Sequence, residues 1–122
     1  MGHGDFSHIE FPTDDLERAR AFDEGLFGWS FRTMGDFPGY LLYETPGGAD
    51  AVGGGMGIRG QTAGASLRNY VTVDSVEAPL AKVEGLGGRI IEPKAEVQGQ
   101  GWYAVVADSE GNELGIWEAL PR

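Results

Sequence analysis

His8 and Glu10 are the residues of this sequence best suited to acid–base chemistry. They lie two positions apart in a segment, residues 7–12, that is predicted to be a β-strand, so both side chains point to the same face. An imidazole beside a carboxylate can act as a general base, which makes His8 and Glu10 candidate catalytic residues. The alternative is that His8 is a hydrogen-bonded core residue, the commoner role of a single histidine on a half-buried strand. His3 lies close to the N-terminus and is given no role.

A second set of side chains could bind an organic ligand. Arg68 and Tyr70 share one face of a predicted strand, and Glu113 and Trp117 share one face of the last predicted strand. Trp102 begins another strand and completes the set of candidate ligand-binding residues. Aromatic walls with few polar groups suit a planar or apolar small molecule, and a guanidinium can hold an anionic group. In the alternative, several of the aromatic rings fill the core.

The composition excludes several classes of function. The chain has 19 acidic against 9 basic residues, a net charge of −10, and no basic cluster, so a nucleic-acid partner is not expected. Without cysteine there is no thiolate nucleophile, disulfide or cysteine-based zinc site. No apolar run reaches the roughly 20 residues that span a bilayer, and the start of the chain lacks a signal-peptide pattern. We therefore expect no membrane partner and a cytoplasmic location.

The first half of the chain is predicted to form a strand, a helix and three further strands. The strand at 7–12 leads to a helix that is capped by Thr13 or Asp14 and ends at residues 25–28. Strands follow at 29–33, 40–44 and 51–58, with a turn at 36–39. The helix is expected to bury one apolar face, formed by Leu16, Ala19, Phe22 and Leu26.

The second half repeats this order. A strand at 69–73 precedes a cap at Asp74 or Ser75 and a helix that ends at residues 87–88. Strands follow at 89–93, 102–107 and 113–118, with a hairpin turn at 108–111. We therefore expect one α+β domain over residues 1–122, built from two βαβββ modules at about 6–59 and 66–120.

Several short segments of the sequence, in their order along the chain, resemble the glyoxalase/bleomycin resistance protein/dioxygenase (vicinal oxygen chelate) superfamily. In the first half they are His8-Ile9-Glu10-Phe11, Asp14-Asp15-Leu16-Glu17-Arg18-Ala19 and Leu26-Phe27-Gly28-Trp29. In the second half they are Tyr70-Val71-Thr72-Val73-Asp74, Leu86-Gly87-Gly88 and Val106-Ala107-Asp108-Ser109-Glu110-Gly111-Asn112. The resemblance implies a curved, mostly antiparallel sheet around a cleft that opens toward a ligand. It also implies a homodimer.

The resemblance further implies a divalent-ion site with one ligand on each of four strands, and most of these ligands are missing. His8 matches the first-strand ligand. Arg68 stands at the equivalent position of the second half, and a guanidinium does not ligate a metal. The last-strand ligand falls at Gly115, and the remaining one falls within residues 53–57, where Met56 has the only side chain. We therefore expect no cofactor.

Two functional classes remain open from the sequence. In the first, the protein is a metal-free binding module that encloses a small organic molecule, as drug-sequestering members of the superfamily do, with Arg68 in the place of the ion. In the second, it is a divalent-metal-dependent lyase, isomerase or dioxygenase with a rearranged site of His8, Glu10 and Glu113. A metal-free enzyme with His8 as general base lies between them. The missing ion ligands favour the binding module.

Overall fold

The computed structural model describes residues 2–48 and 51–121, so residues 1, 49, 50 and 122 of the expected domain lie outside the described part. The chain divides into two compact units. The N-terminal unit is Ser7–Arg68, and the C-terminal unit is Met1–Phe6 together with Asn69–Arg122. Among the described residues, no helix is long and apolar enough to cross a membrane.

The N-terminal unit contains the first predicted module. Its elements are β1 (Phe6–Thr13), α1 (Leu16–Phe27), β2 (Ser30–Met34), β3 (Phe37–Glu44) and β4 (Gly54–Ile58). The strands pair in the order β2-β3-β4-β1, in which β1 and β4 are parallel and the other pairs are antiparallel. This pairing places the start of β1, which carries His8 and Glu10, beside the glycine-rich strand β4.

The C-terminal unit repeats the arrangement. Its elements are β5 (Arg68–Thr72), α2 (Glu77–Val83), a 3-10 turn (Glu84–Leu86), β6 (Arg89–Val97), β7 (Gly101–Ala107) and β8 (Glu113–Ala119). The order is β5-β8-β7-β6, with β5 and β8 parallel and the other pairs antiparallel. Its core consists of Val73, Val76, Ala104, Val106 and Ile116. The two βαβββ modules confirm the predicted fold class, with antiparallel pairs in the majority.

The caps of both helices differ from the predicted ones. Helix α1 begins after Asp15, whose carboxylate accepts a hydrogen bond from the backbone N–H of Arg18 at 3.0 Å, and it ends at Gly28 with a φ of 72°. Helix α2 has no side-chain cap from its own first turn. Instead, the backbone N–H of Val76 donates to Oε1 of Glu118, from β8, at 2.8 Å.

The turn between β2 and β3 lies at residues 35–36 rather than at the predicted 36–39. Gly35 adopts a φ of 53°, which a tight two-residue hairpin requires and which glycine adopts without steric cost. Pro38 and Gly39 therefore fall inside β3, and the register shifts between Thr33 and Met34 to accommodate them. The Pro-Gly pair was a misleading turn signal.

Helix α1 does not bury the apolar face that its spacing predicts. None of its residues is fully buried, and the side chains of Phe22 and Leu26 are 63% and 61% exposed. The unit is filled instead by aromatic side chains from the strands: the rings of Trp29 and Tyr43 stack at 4.7 Å, and Phe11 packs at 5.9 Å from each of them. Large rings on the sheet hold the helix away from it.

Candidate functional site

His8, Tyr40 and Glu10 form a hydrogen-bonded cluster in the N-terminal unit. Nε2 of His8 lies 2.8 Å from the hydroxyl oxygen of Tyr40, and that hydroxyl donates to Oε1 of Glu10 at 2.8 Å. The imidazole and phenol rings are nearly parallel, with an interplanar angle of 7°. Glu10 and Tyr40 are buried, at 7% and 8% exposure, and His8 is half-buried. We call these residues the His8–Tyr40–Glu10 cluster.

The protonation of this cluster follows from its geometry. A phenol has one proton, and Tyr40 donates it to the Glu10 carboxylate, so Nε2 of His8 must donate its own hydrogen to the Tyr40 oxygen. Burial lowers the pKa of His8 to about 4, so the imidazole is neutral near pH 7. A neutral imidazole that donates through Nε2 offers no lone pair at that atom. Nε2 of His8 therefore acts in the cluster as a hydrogen-bond donor and not as a base.

Tyr40 lies over a glycine of β4, in the segment where the resemblance implies a metal ligand. A Cβ placed on Gly55 would overlap the ring and hydroxyl of Tyr40. In the register of the sheet, Gly55 pairs with Glu10, so both lie on the face that carries the cluster. Glycine at this position is what allows the tyrosine to reach Glu10.

The C-terminal unit also contains a tyrosine ring that lies over a glycine of the neighbouring strand. A Cβ on Gly115 would overlap the ring of Tyr70, which is buried and is its register partner across β5 and β8. Gly115 is the position at which the resemblance implies the last-strand ligand. In both units, therefore, an aromatic ring lies over a glycine where a metal-binding member would carry a ligand side chain.

The predicted ligand-binding residues of the C-terminal unit fall on two faces. Glu113 and Trp117 alternate with Gly115 along β8, so they share the face on which Tyr70 lies. Trp102 lies on the opposite face, where it packs against the core under α2, and Nζ of Lys94 lies 5.2 Å from the centre of its ring. Trp102 therefore packs against the core, and its role in ligand binding stays a prediction.

Arg68 lies at the start of β5 and within the N-terminal unit. Its guanidinium lies against the backbone of Gly64, where a Cβ would be 3.1 Å from Nη2. The side chain of Arg68 is half-buried. Its role toward a carboxylate or an anionic ligand stays a prediction.

The donor set of the cluster does not fit a divalent metal ion. Such a site in an enzyme needs at least three protein ligands with deprotonated donor atoms. Across residues 2–48 and 51–121, no three His, Asp or Glu side chains are grouped so that they could hold an ion. The described residues thus give no support to the rearranged site of His8, Glu10 and Glu113.

Tyr40 is the residue of this site that the sequence did not reveal. It stood among the aromatic residues, but nothing in its spacing connected it to His8, which is 32 positions away. The usable signal was the glycine run at residues 53–57, because a strand of glycines can accept large rings from its neighbours.

Known proteins resemble this chain over most of its length, although no protein-family model matches it. It is 28% identical over 116 residues to the putative glyoxylase CFP32 of Mycobacterium tuberculosis, covering 91% of this chain and 44% of that protein. It is 30% identical over 91 residues to a glyoxylase-like domain-containing protein of Didymella fabae, covering 71% of each. The chain thus spans less than half the length of its mycobacterial relative.

Solved structures share the fold at low sequence identity. A glyoxalase/bleomycin resistance protein/dioxygenase superfamily member from Vibrio splendidus gives a TM-score of 0.67 at 11% identity, covering 95% of this chain and all of that one. The methylmalonyl-CoA epimerase of Mycobacterium tuberculosis gives a TM-score of 0.68 at 16% identity, covering 97% of this chain and 89% of that one. The Mn(II)-bound glyoxalase of Novosphingobium aromaticivorans gives a TM-score of 0.67 at 14% identity, covering 96% of this chain and 39% of that one. At these identities the likeness concerns the fold.

Proposed function

This chain belongs to the glyoxalase/bleomycin resistance protein/dioxygenase superfamily, and we propose that it binds a small organic molecule without the help of a metal ion. The observation that carries the proposal is the position of the Tyr40 hydroxyl, 2.8 Å from both His8 and Glu10. The hydroxyl holds the imidazole of His8 and the carboxylate of Glu10 in hydrogen bonds to one atom. The ligand would meet these groups as hydrogen-bonding partners.

A metal ion bound through Nε2 of His8 would have to break this arrangement. Ligation through Nε2 requires that atom to lose its hydrogen, which would also remove the hydrogen bond to Tyr40. Tyr40 would then have to leave Glu10 for the carboxylate to turn toward the ion, and Glu10 is buried. Losing a partner for a buried carboxylate costs about 1–3 kcal/mol or more, so the cluster opposes metal binding.

The two tyrosine–glycine pairs support the same proposal on steric grounds. Tyr40 over Gly55 and Tyr70 over Gly115 fill the space that ligand side chains would need. Of the ligand-binding residues predicted from the sequence, we retain Arg68, Tyr70, Glu113 and Trp117.

We propose a planar aromatic carboxylate as the class of ligand, with its carboxylate held by Arg68. A guanidinium offers two parallel donors that match a carboxylate. Sequestration of such a molecule, a cytoplasmic location and a homodimer remain parts of the proposal that rest on the sequence.

Metal analysis is the first test. Mass spectrometry of the untagged protein after dialysis should find no stoichiometric metal, and Ni, Zn, Mn and Fe(II) should leave the melting temperature unchanged, because an ion that binds the native state must raise it. Stoichiometric metal together with a raised melting temperature would overturn the proposal and favour a metal-dependent lyase, isomerase or dioxygenase.

A ligand screen is the second test, with benzoate, 4-hydroxybenzoate and 1-naphthoate as probes. At least one should raise the melting temperature, and Arg68→Gln should abolish that shift. Gly25→Ala, which changes an open position of α1, is the matched control and should keep the shift. Equal shifts in the wild type and Arg68→Gln would refute the assigned role of Arg68.

A further inference from the structure

A cavity of about 390 Å³ lies under α1 in the N-terminal unit. The residues that matter for its chemistry are Phe11, Arg18, Ala19, Phe22, Asp23 and Met56. Its volume falls in the range of pockets that hold small organic ligands. All of these residues belong to one unit, so the cavity is formed by that unit alone.

The cavity lies on the face of the sheet opposite to the His8–Tyr40–Glu10 cluster. Phe11 follows Glu10 on β1 and therefore points the other way, and its register partner Met56 on β4 does the same. Nothing in the proposed function uses these two side chains. The cavity is thus a separate feature, and its test does not depend on the ligand of the cluster.

The cavity exists because α1 packs loosely. Ala19, the smallest of the four residues of α1 that line it, leaves space there, and no residue of the helix is fully buried. The floor is apolar: the side chain of Met56 is 2% exposed, and the Phe11 ring packs against Trp29 and Tyr43. At the mouth, Phe22 exposes 63% of its surface. A large exposed ring beside an apolar floor is typical of a ligand site.

The charge at this cavity favours a cation. Burial raises the pKa of the Asp23 carboxyl. Burial also raises the pKa of Tyr43, and the negative charge of Asp23 adds to that rise. The field of this carboxylate therefore reaches into the aromatic side chains next to the cavity. Arg18 also lines the cavity, but it is exposed, so solvent and salt screen its charge. The net charge of −10 adds a general attraction for cations.

We propose that this cavity binds a small aromatic amine, with its ring against Phe11 and Phe22 and its ammonium group beside the carboxylate of Asp23. The aromatic ring gains apolar contact on the floor and with Phe22. The ammonium gains a charged partner in a partly desolvated position, where such a pair is stronger than on the surface.

The test uses three probes of nearly the same shape: phenethylamine, 2-phenylethanol and phenylacetate. Methionine labelled with ¹³C at the methyl group places an NMR reporter in the cavity, because Met56 lines it, and Met34 on β2 is the internal reference. The Met56 signal should shift in a saturable way with phenethylamine. The alcohol should bind about fivefold more weakly, equivalent to about 1 kcal/mol, and phenylacetate more weakly still.

Three variants make the test specific. Asp23→Asn should reduce the ratio of the affinities for the amine and the alcohol to nearly one. Glu24→Gln removes the same charge from the next residue, which pairs with Arg20 at 3.1 Å, and should keep the preference. Ala19→Leu adds three carbon atoms to the wall of the cavity and should weaken binding of all three probes while the protein remains folded by circular dichroism.

The proposal is overturned if the Met56 signal of the folded wild type does not respond to phenethylamine. Equal affinities for amine, alcohol and acid would also overturn it, as would an Asp23→Asn variant that keeps the wild-type preference. Each of these results can occur whether or not the cluster on the other face binds a ligand, so failure here is distinguishable from failure of the proposed function.

Discussion

Replacing Gly55 by alanine should disrupt the His8–Tyr40–Glu10 cluster without removing any of its side chains. The added methyl group would occupy the space of the Tyr40 ring and hydroxyl. The ring must therefore tilt or move, and it is buried, so no open space is available to it at low cost. The hydroxyl would then leave one or both of its partners.

The expected destabilisation is the sum of three effects. Overpacking a filled position costs about 1–3 kcal/mol. Weakening the hydrogen bond to the buried Glu10 carboxylate costs about 1–3 kcal/mol, because that group loses a donor. Alanine restricts the unfolded chain more than glycine does, which offsets about 0.4–1 kcal/mol. We expect Gly55→Ala to lower the free energy of unfolding by about 2–4 kcal/mol.

Urea denaturation followed by tryptophan fluorescence measures this change. Gly25→Ala is the control, since its Cβ meets nothing within 4 Å and alanine is favoured in a helix by about 1 kcal/mol. In a double-mutant cycle, Gly55→Ala should become nearly neutral when Tyr40→Ala has already removed the ring. A Gly55→Ala variant as stable as the wild type, or an equal loss in both backgrounds, would refute the reasoning.

Two further predictions concern protonation and capping. Because the pKa of His8 is lowered in the folded state from 6.5 to about 4, the unfolded chain binds this proton more readily. Its contribution to stability is therefore complete above pH 6.5 and is lost as the pH falls toward 4, by at most roughly 3 kcal/mol. Denaturation curves at several pH values should show that the wild type loses stability over this range relative to His8→Gln, which does not titrate. An equal dependence of stability on pH in the two proteins would contradict the assigned pKa. Glu118→Ala should lower the free energy of unfolding by about 1 kcal/mol, because the hydrogen bond at Val76 is lost. Glu118→Gln keeps an acceptor oxygen and should retain most of that free energy in the same assay. Equal losses in the two variants would point to a role of the charge instead.

The sequence by itself determined the order of elements and the fold class. Alternating and helical spacings and glycine stops depend on local geometry, so they could be predicted along the chain. The cap of α1 lay within two residues of the observed Asp15, and His8 and Glu10 were correctly placed on one face of β1. These features depend on neighbours that are close in sequence.

Tertiary structure alone decided what the site residues do. His8 is bonded to Tyr40 because a strand 32 residues away brings a phenol to it, and Gly55 leaves the space for that ring. Burial lowers the pKa of His8 and keeps its imidazole neutral. Spacing also predicted a buried face for α1, but aromatic rings from the strands fill that layer and leave Phe22 exposed at a cavity. Such outcomes depend on which side chains compete for the same volume, and that competition exists only once the strands are assembled.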